Sequence, residues 1–311
     1  MIYITQGHEK SISLEILIKS FILLPIKMQK YFLLITFKDT LIEILDILKI
    51  NYVLKNNGIC LGRSFLKCHF LKNSLGPQST TSILKALEFI EKKSDILITL
   101  PTSKDQLIFR NKVEKGHTEF LRKFYDNEDL SMVFSSGNEN ILLISDHIPV
   151  REIPSFINKN RIIKKITTTL KEFEHYFNPI SEIILTGLNP HAGENGLLGH
   201  EEDEIRQAIV SLEALFPRIN FQGPLPGDGL HLMKKQKKPH QLYVYMYHDQ
   251  GLSPFKQRYG LIGLHITFGL PFLRMSVDHG TGFDLFGKNK ANPMGCYHLL
   301  KKSIEMQNKY P

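Results

Sequence analysis

Short apolar runs alternate along this chain with longer stretches in which apolar residues recur every three or four positions. Ile2–Thr5, Tyr31–Phe37, Ile96–Leu100, Ile141–Ile144, Glu182–Gly187 and Leu242–Tyr247 have the length and the β-branched or aromatic content of buried strands. The intervening stretches carry helical spacing. Ser11 or Ser13 can cap a helix running to about Phe21, Leu41–Leu48 is a second, and Thr80 or Thr81 can open a third that reaches Lys92. Arg161–Phe177 and Glu201–Phe216 are two more. Strand and helix in turn predict an α/β fold with a largely parallel sheet covered by helices. Residues 51–76 show little periodicity and predict no element.

Three histidines share a local pattern. His147 follows Ile141-Leu-Leu-Ile-Ser-Asp, His191 follows Ile183-Ile-Leu-Thr-Gly-Leu-Asn-Pro, and His248 follows Tyr243-Val-Tyr-Met-Tyr. Each stands just beyond the C-terminal end of a predicted strand. In a parallel sheet those ends share one edge, where α/β proteins place their ligands. Three neutral imidazoles with open positions suit a catalytic divalent metal, with Asp146 and Asp249 as further acceptors. A single strand-end histidine is accounted for equally well as a packing residue.

The length of 311 residues allows two domains or one large α/β unit. The net charge of +8 includes a run at Lys234, Lys235, Lys237 and Lys238. No nucleic-acid recognition motif accompanies it, so the basic balance points to a solvated surface that attracts anionic substrates. Cys60, Cys68 and Cys296 are an odd set without close pairing, which argues for free thiols in a reducing compartment. Cys60 and Cys68 near His69 match no zinc spacing. Residues 1–7 lack the pattern of a signal peptide, and the apolar stretch Phe21–Ile26 is too short to span a bilayer, so a cytoplasmic location is expected.

Other polar groups gather near strand ends. Gly187–Gly196 is a glycine-rich turn that admits close backbone approach, but it is not a dinucleotide fingerprint. Glu201 and Glu202 suit the start of a helix by charge alone. His117 and Thr118 can donate to an anion, although Thr118 also serves as a helix cap; Lys104 follows a strand. Lys256 and Arg274 can clamp a phosphate or carboxylate. Ser276–Asp284 offers acids and backbone donors, or simply a turn.

Gly187-Leu-Asn-Pro-His-Ala-Gly-Glu, Tyr247-His-Asp-Gln-Gly, Gly269-Leu-Pro-Phe-Leu-Arg and Ser276-Val-Asp-His-Gly-Thr stand in an order that resembles the 4-hydroxythreonine-4-phosphate dehydrogenase family of pyridoxal 5′-phosphate biosynthesis. Gly116-His-Thr-Glu-Phe and His147-Ile-Pro-Val-Arg-Glu-Ile match it too. The resemblance implies an isocitrate/isopropylmalate-dehydrogenase-like fold. It implies one α/β domain from 1–125 with 265–311, and a second from 126–264 that carries the metal ligands and the contacts of a homodimer with interface active sites. It also implies His147, His191 and His248 as metal ligands, with zinc, magnesium, cobalt or manganese as the ion. His117, Thr118, Lys256, His265 and Arg274 would bind substrate, and Asp278, His279, Gly280, Thr281 and Asp284 would face NAD or NADP. Asp249 and Lys104 are the candidates for the general base.

The sequence departs from the family at three places. Gly7-His-Glu-Lys-Ser-Ile-Ser-Leu-Glu15 replaces a loop rich in glycine and proline, Leu100 replaces a glycine, and His265 stands where the family has asparagine. The implied reaction is oxidation of 4-phosphooxy-L-threonine and decarboxylation to 3-amino-1-hydroxyacetone 1-phosphate. Alternatives are a dehydrogenase for another four-carbon acid phosphate, a three-histidine metal hydrolase, and a non-catalytic relative. Neither nucleic acid nor membrane is an expected partner.

Overall fold

The computed structural model describes residues 1–72, 76–137, 139–230 and 240–309, which form two compact units. One comprises residues 1–128 and 270–311, the other residues 129–269. The basic run at Lys234–Lys238 lies outside the described residues.

The first unit contains β1 (Ile2–Thr5), β2 (Phe32–Phe37), β3 (Tyr52–Lys55), β4 (Gly58–Leu61), β5 (Ser64–Leu71), β6 (Ile96–Thr99), the small hairpin β7 (Ile108–Phe109) and β8 (Lys112–Val113), and the last strand, β15 (Leu273–Val277). Its main strands run in the order β15-β6-β1-β2-β5-β4-β3. Pairing is parallel from β15 to β5 and antiparallel from β5 to β3. The stretch that predicted no element is therefore a three-stranded meander. Two-residue loops join its strands, since Lys55 pairs with Gly58 and Leu61 with Ser64. Gly62 supplies the left-handed backbone of the second loop, with φ +58°. The outermost strand is half exposed, its residues alternating between half-buried and exposed.

Helices Ser13–Leu23, Lys38–Ile47, Gln78–Phe89 and Met294–Lys309 belong to this unit. The third starts at Gln78, before the threonines expected to cap it. Thr80 instead donates from Oγ1 to the Gln106 carbonyl and accepts from the Ile108 amide.

The second unit contains β9 (Ser131–Ser136), β10 (Glu139–Leu143), β11 (Glu182–Thr186), β12 (Asn220–Leu225), β13 (Gln241–Tyr245) and β14 (Leu264–Phe268). They run in the order β12-β11-β13-β10-β9-β14. The first four are parallel, while β9 is antiparallel to both of its neighbours. Through that pairing β14 groups with this unit, whereas the resemblance implied 265–311 in the first. β12 sits at the sheet edge, where Pro224 withholds no needed hydrogen bond.

Helix Lys159–Tyr176 is capped by Asn158, whose side chain accepts from the Arg161 amide at 3.1 Å. Helix His248–Tyr259 contains Gly251 and Pro254, both poor helix formers, so packing must hold it. Its Leu252 and Phe255 are buried among Phe134, Ile141, Leu143, Tyr243 and Tyr245. Burial of such side chains is worth about 1.5–3 kcal/mol each. At its other end Glu139, 2% exposed, accepts from Arg258 at 2.6 Å and from the Tyr259 hydroxyl at 2.8 Å.

Candidate active site

In the second unit β11, β13 and β10 are consecutive parallel neighbours, and His191, His248 and His147 follow their respective C-terminal ends. Two of the three rings come together. His147 and His248 lie with centroids 5.3 Å apart and planes inclined at 43°. Two imidazoles on one tetrahedral ion, at zinc–nitrogen distances near 2.0–2.1 Å, would place their centroids about 5 Å apart, so this spacing fits a shared cation. Among the described residues no group of three or more His, Cys, Asp or Glu side chains is arranged to hold a metal. The convergence of all three histidines expected from the sequence is thus not formed within one chain.

The ring nitrogens suit ligation. His248 Nδ1 is 2.7 Å from Asp249 Oδ1, and His191 Nδ1 is 2.5 Å from Glu194 Oε1. A carboxylate on Nδ1 fixes the tautomer and leaves the Nε2 lone pair for a cation. Asp249, a candidate base on sequence, is engaged in orienting His248. The Glu194 bond, then its charge and more weakly that of Asp228, raises the pKa of His191 above its ordinary value.

His191 stands on an unusual turn. His191, Ala192, Gly193, Glu194, Asn195 and Gly196 all have φ between +42° and +94°. Each non-glycine residue in such a left-handed run costs about 1–2 kcal/mol, so surrounding contacts must hold it. The turn opens on a cavity of about 430 Å³ lined by Asn189, His191, Asp228, Tyr247 and Gln250, among others. Gln250 joins the cavity walls. Its Nε2 donates to the Gly187 carbonyl at 2.8 Å, and its Oε1 accepts from the Met246 amide and the Thr186 hydroxyl at 2.8 and 2.9 Å. Lys256 is exposed on the same helix as His248, and the His265 ring stacks on Phe134 at 4.8 Å. Asp228 was missed in the sequence. The strand before it, β12, contains Pro224, which does not read as part of a buried run, so the strand-end position that marked the histidines was hidden.

The remaining candidates belong to the first unit. Arg274 is 1% exposed and donates from Nε and Nη2 to Thr99 Oγ1, at 3.1 and 2.5 Å. Burial lowers its pKa to about 9. Burial, and then the Arg274 charge, hold the His117 pKa well below its ordinary value. His117 and Thr118 open helix His117–Phe124, whose cap position is Gly116, so Thr118 is not the cap. Lys104 is exposed in a single 3-10 turn, Lys104–Gln106. Asp278 and His279 are half-buried beyond β15, followed by Gly280, Thr281 and the exposed Asp284.

The altered N-terminal loop packs against this segment. Ile12 N donates to the Thr281 carbonyl at 3.0 Å, and the His8 ring meets Phe283 edge-on at 4.9 Å. Ser13 Oγ donates to the Pro101 carbonyl at 2.5 Å, and Ser11 Oγ donates to the His8 carbonyl at 2.7 Å. Side-chain hydroxyls thereby tie this loop, in which Gly7 is the only glycine.

Two α/β units of this kind, with polar groups beyond parallel strand ends, make up the isocitrate/isopropylmalate-dehydrogenase-like fold class. Isocitrate dehydrogenase from Methylococcus capsulatus shares the fold at a TM-score of 0.53 and 12% identity, over 99% of this chain and 85% of its own. Within that class the chain belongs to the family described as pyridoxal phosphate biosynthetic protein PdxA, whose profile matches residues 26–301. A 4-hydroxythreonine-4-phosphate dehydrogenase of Sulfurihydrogenibium sp. (strain YO3AOP1) is 35% identical over 97% of this chain and 96% of its own length. A D-threonate 4-phosphate dehydrogenase of Pectobacterium atrosepticum is 37% identical over 68% of this chain and 64% of its own. A crystal structure of 4-hydroxythreonine-4-phosphate dehydrogenase from Klebsiella pneumoniae matches with a TM-score of 0.78 and 26% identity, covering 99% of both chains.

Proposed function

We propose that this chain is a metal-dependent, NAD(P)-linked dehydrogenase. Its substrate is 4-phosphooxy-L-threonine, and decarboxylation of the oxidised product gives 3-amino-1-hydroxyacetone 1-phosphate. The observation that carries this reading is the His147–His248 pair at ligand spacing, with His248 oriented by a carboxylate, in a member of this family. When bound, a divalent ion supplies Lewis acidity toward the substrate hydroxyl and nicotinamide supplies the hydride acceptor. The protein's own part is to bind and orient. Arg274, fixed by Thr99, presents a planar cationic fork, and His117 stays neutral at pH 7 beside it. Lys256 adds a point charge for the phosphate, and residues 278–284 take the cofactor side. The third ligand, His191, reaches the ion of a second copy in a homodimer.

The experiment is metal titration together with NADH formation. His191→Ala and His248→Ala should each lose zinc binding and turnover; a fully active His191→Ala enzyme overturns the assignment. Metal binding without NADH production on any substrate points instead to a non-catalytic relative. A second reading rests on His265 in place of asparagine and on the Pectobacterium relative: a dehydrogenase for D-threonate 4-phosphate. Comparing kcat/KM on the two phosphates decides between them.

A further inference from the structure

We propose that Glu202 is a positioning residue that fixes the His191 turn in place, an inference that rests on reading His191 as a metal ligand. Glu202 is the first residue of helix Glu202–Leu215, where an acid complements the helix end from the surface. It is, however, only 1% exposed, and a buried carboxylate requires hydrogen-bond donors. The histidine turn supplies them. Oε1 accepts from the amides of Leu188 and Asn189, at 2.9 and 2.7 Å, and Oε2 accepts from Asn189 Nδ2 at 3.0 Å.

Glycines let the turn close on this carboxylate. A Cβ on Gly193 would lie 2.5 Å from Glu202 Oε2, and one on Gly187 would lie 3.1 Å from Oε1 and 2.7 Å from Ala192 Cα. The end of β11, the Asn189 bend and the left-handed residues are thus wound around one side chain. Asn189 Nδ2 also donates to Glu201 Oε2 at 2.7 Å, so the bend is gripped twice by the following helix. Left-handed backbone is unfavourable for His191, Ala192, Glu194 and Asn195 on their own. The tether to Glu202 keeps it, and through the backbone it sets where the imidazole points. Side chains that orient metal ligands from behind typically change metal affinity by about 10–100-fold when removed.

The test uses the full chain, zinc alone as the probe in competition with a chelator, and amide hydrogen exchange of residues 188–196. Glu202→Gln keeps one carbonyl-type acceptor and Glu202→Ala keeps none. Zinc affinity should fall in the order wild type, Glu202→Gln, Glu202→Ala, by about tenfold or more overall. Exchange at Leu188 and Asn189 should quicken while the middle of helix Glu202–Leu215 stays protected. Glu202→Ala with wild-type affinity and wild-type exchange overturns the proposal. If Glu202→Ala does not fold, Gly193→Ala decides, because its Cβ displaces Oε2; unchanged zinc affinity and exchange there overturn it equally. Failure of the underlying reading looks different: His191→Ala would then bind zinc as tightly as wild type, whatever the exchange at Leu188 and Asn189 shows.

Discussion

At the scale of single residues, burial does more than charge count to set the chemistry. His117 is a base whose protonation is opposed first by desolvation and then by Arg274, so its pKa in the folded chain lies well below the value near 6.5 of an unfolded histidine. Between those two values the unfolded chain binds a proton that the folded chain refuses. Stability is therefore fully present above about pH 6.5 and declines as the pH falls toward the folded pKa. The expected outcome is a Tm that drops between pH 7 and pH 5, with a smaller drop in His117→Asn. Identical slopes would remove His117 as a source of the effect. The sequence marked His117 and Arg274 as polar residues near apolar runs. It could not show that the Arg274 charge acts on His117, because the two residues are far apart along the chain.

At the scale of elements, the helix that begins with His248 is placed by shape. Gly251 faces the sheet so closely that a Cβ there would lie 2.8 Å from Leu143 Cδ2 and 2.9 Å from Tyr245 Cδ2. Gly251→Ala should therefore push the helix off β10 and β13 at a cost of about 1–3 kcal/mol, the usual range for overpacking. It should also weaken zinc binding through His248. Calorimetry and chelator competition check both, and an unchanged Tm would contradict the close approach. The buried strands that precede His147, His191 and His248 were legible, because apolar runs bounded by polar residues have few other structural readings. The meander β3-β4-β5 was not, since Tyr52, Val53 and Leu54 of its outer strand are apolar in a row while their burial alternates between half-buried and exposed. The left-handed turn was equally hidden. Its glycines announce freedom, but nothing in the sequence marks Ala192 and Asn195 as residues with positive φ, and the Glu202 carboxylate that meets the turn at the Asn189 amide lies beyond it in the chain.

At the scale of the whole molecule, His147 and His248 form a pair while His191 lines a cavity with Tyr247 and Gln250, and the proposed homodimer makes a testable claim about which chain supplies the third ligand. Suppose His191 of one subunit completes the His147–His248 pair of the other. His191→Ala and His248→Ala homodimers then each lack an essential ligand at both sites. A heterodimer of the two carries one site with both lesions and one site with neither. Random subunit exchange makes half of the dimers mixed, so about one quarter of all sites should recover zinc binding and turnover. The two variants are purified separately, mixed, allowed to exchange and titrated with zinc. Recovery near that fraction requires ligands from two chains, since no rearrangement within either variant can restore a missing imidazole. If the mixture stays as inactive as its parents while native mass spectrometry shows heterodimers, all three ligands must come from one chain. The His191 turn would then have to swing toward His147 and His248 on binding the ion.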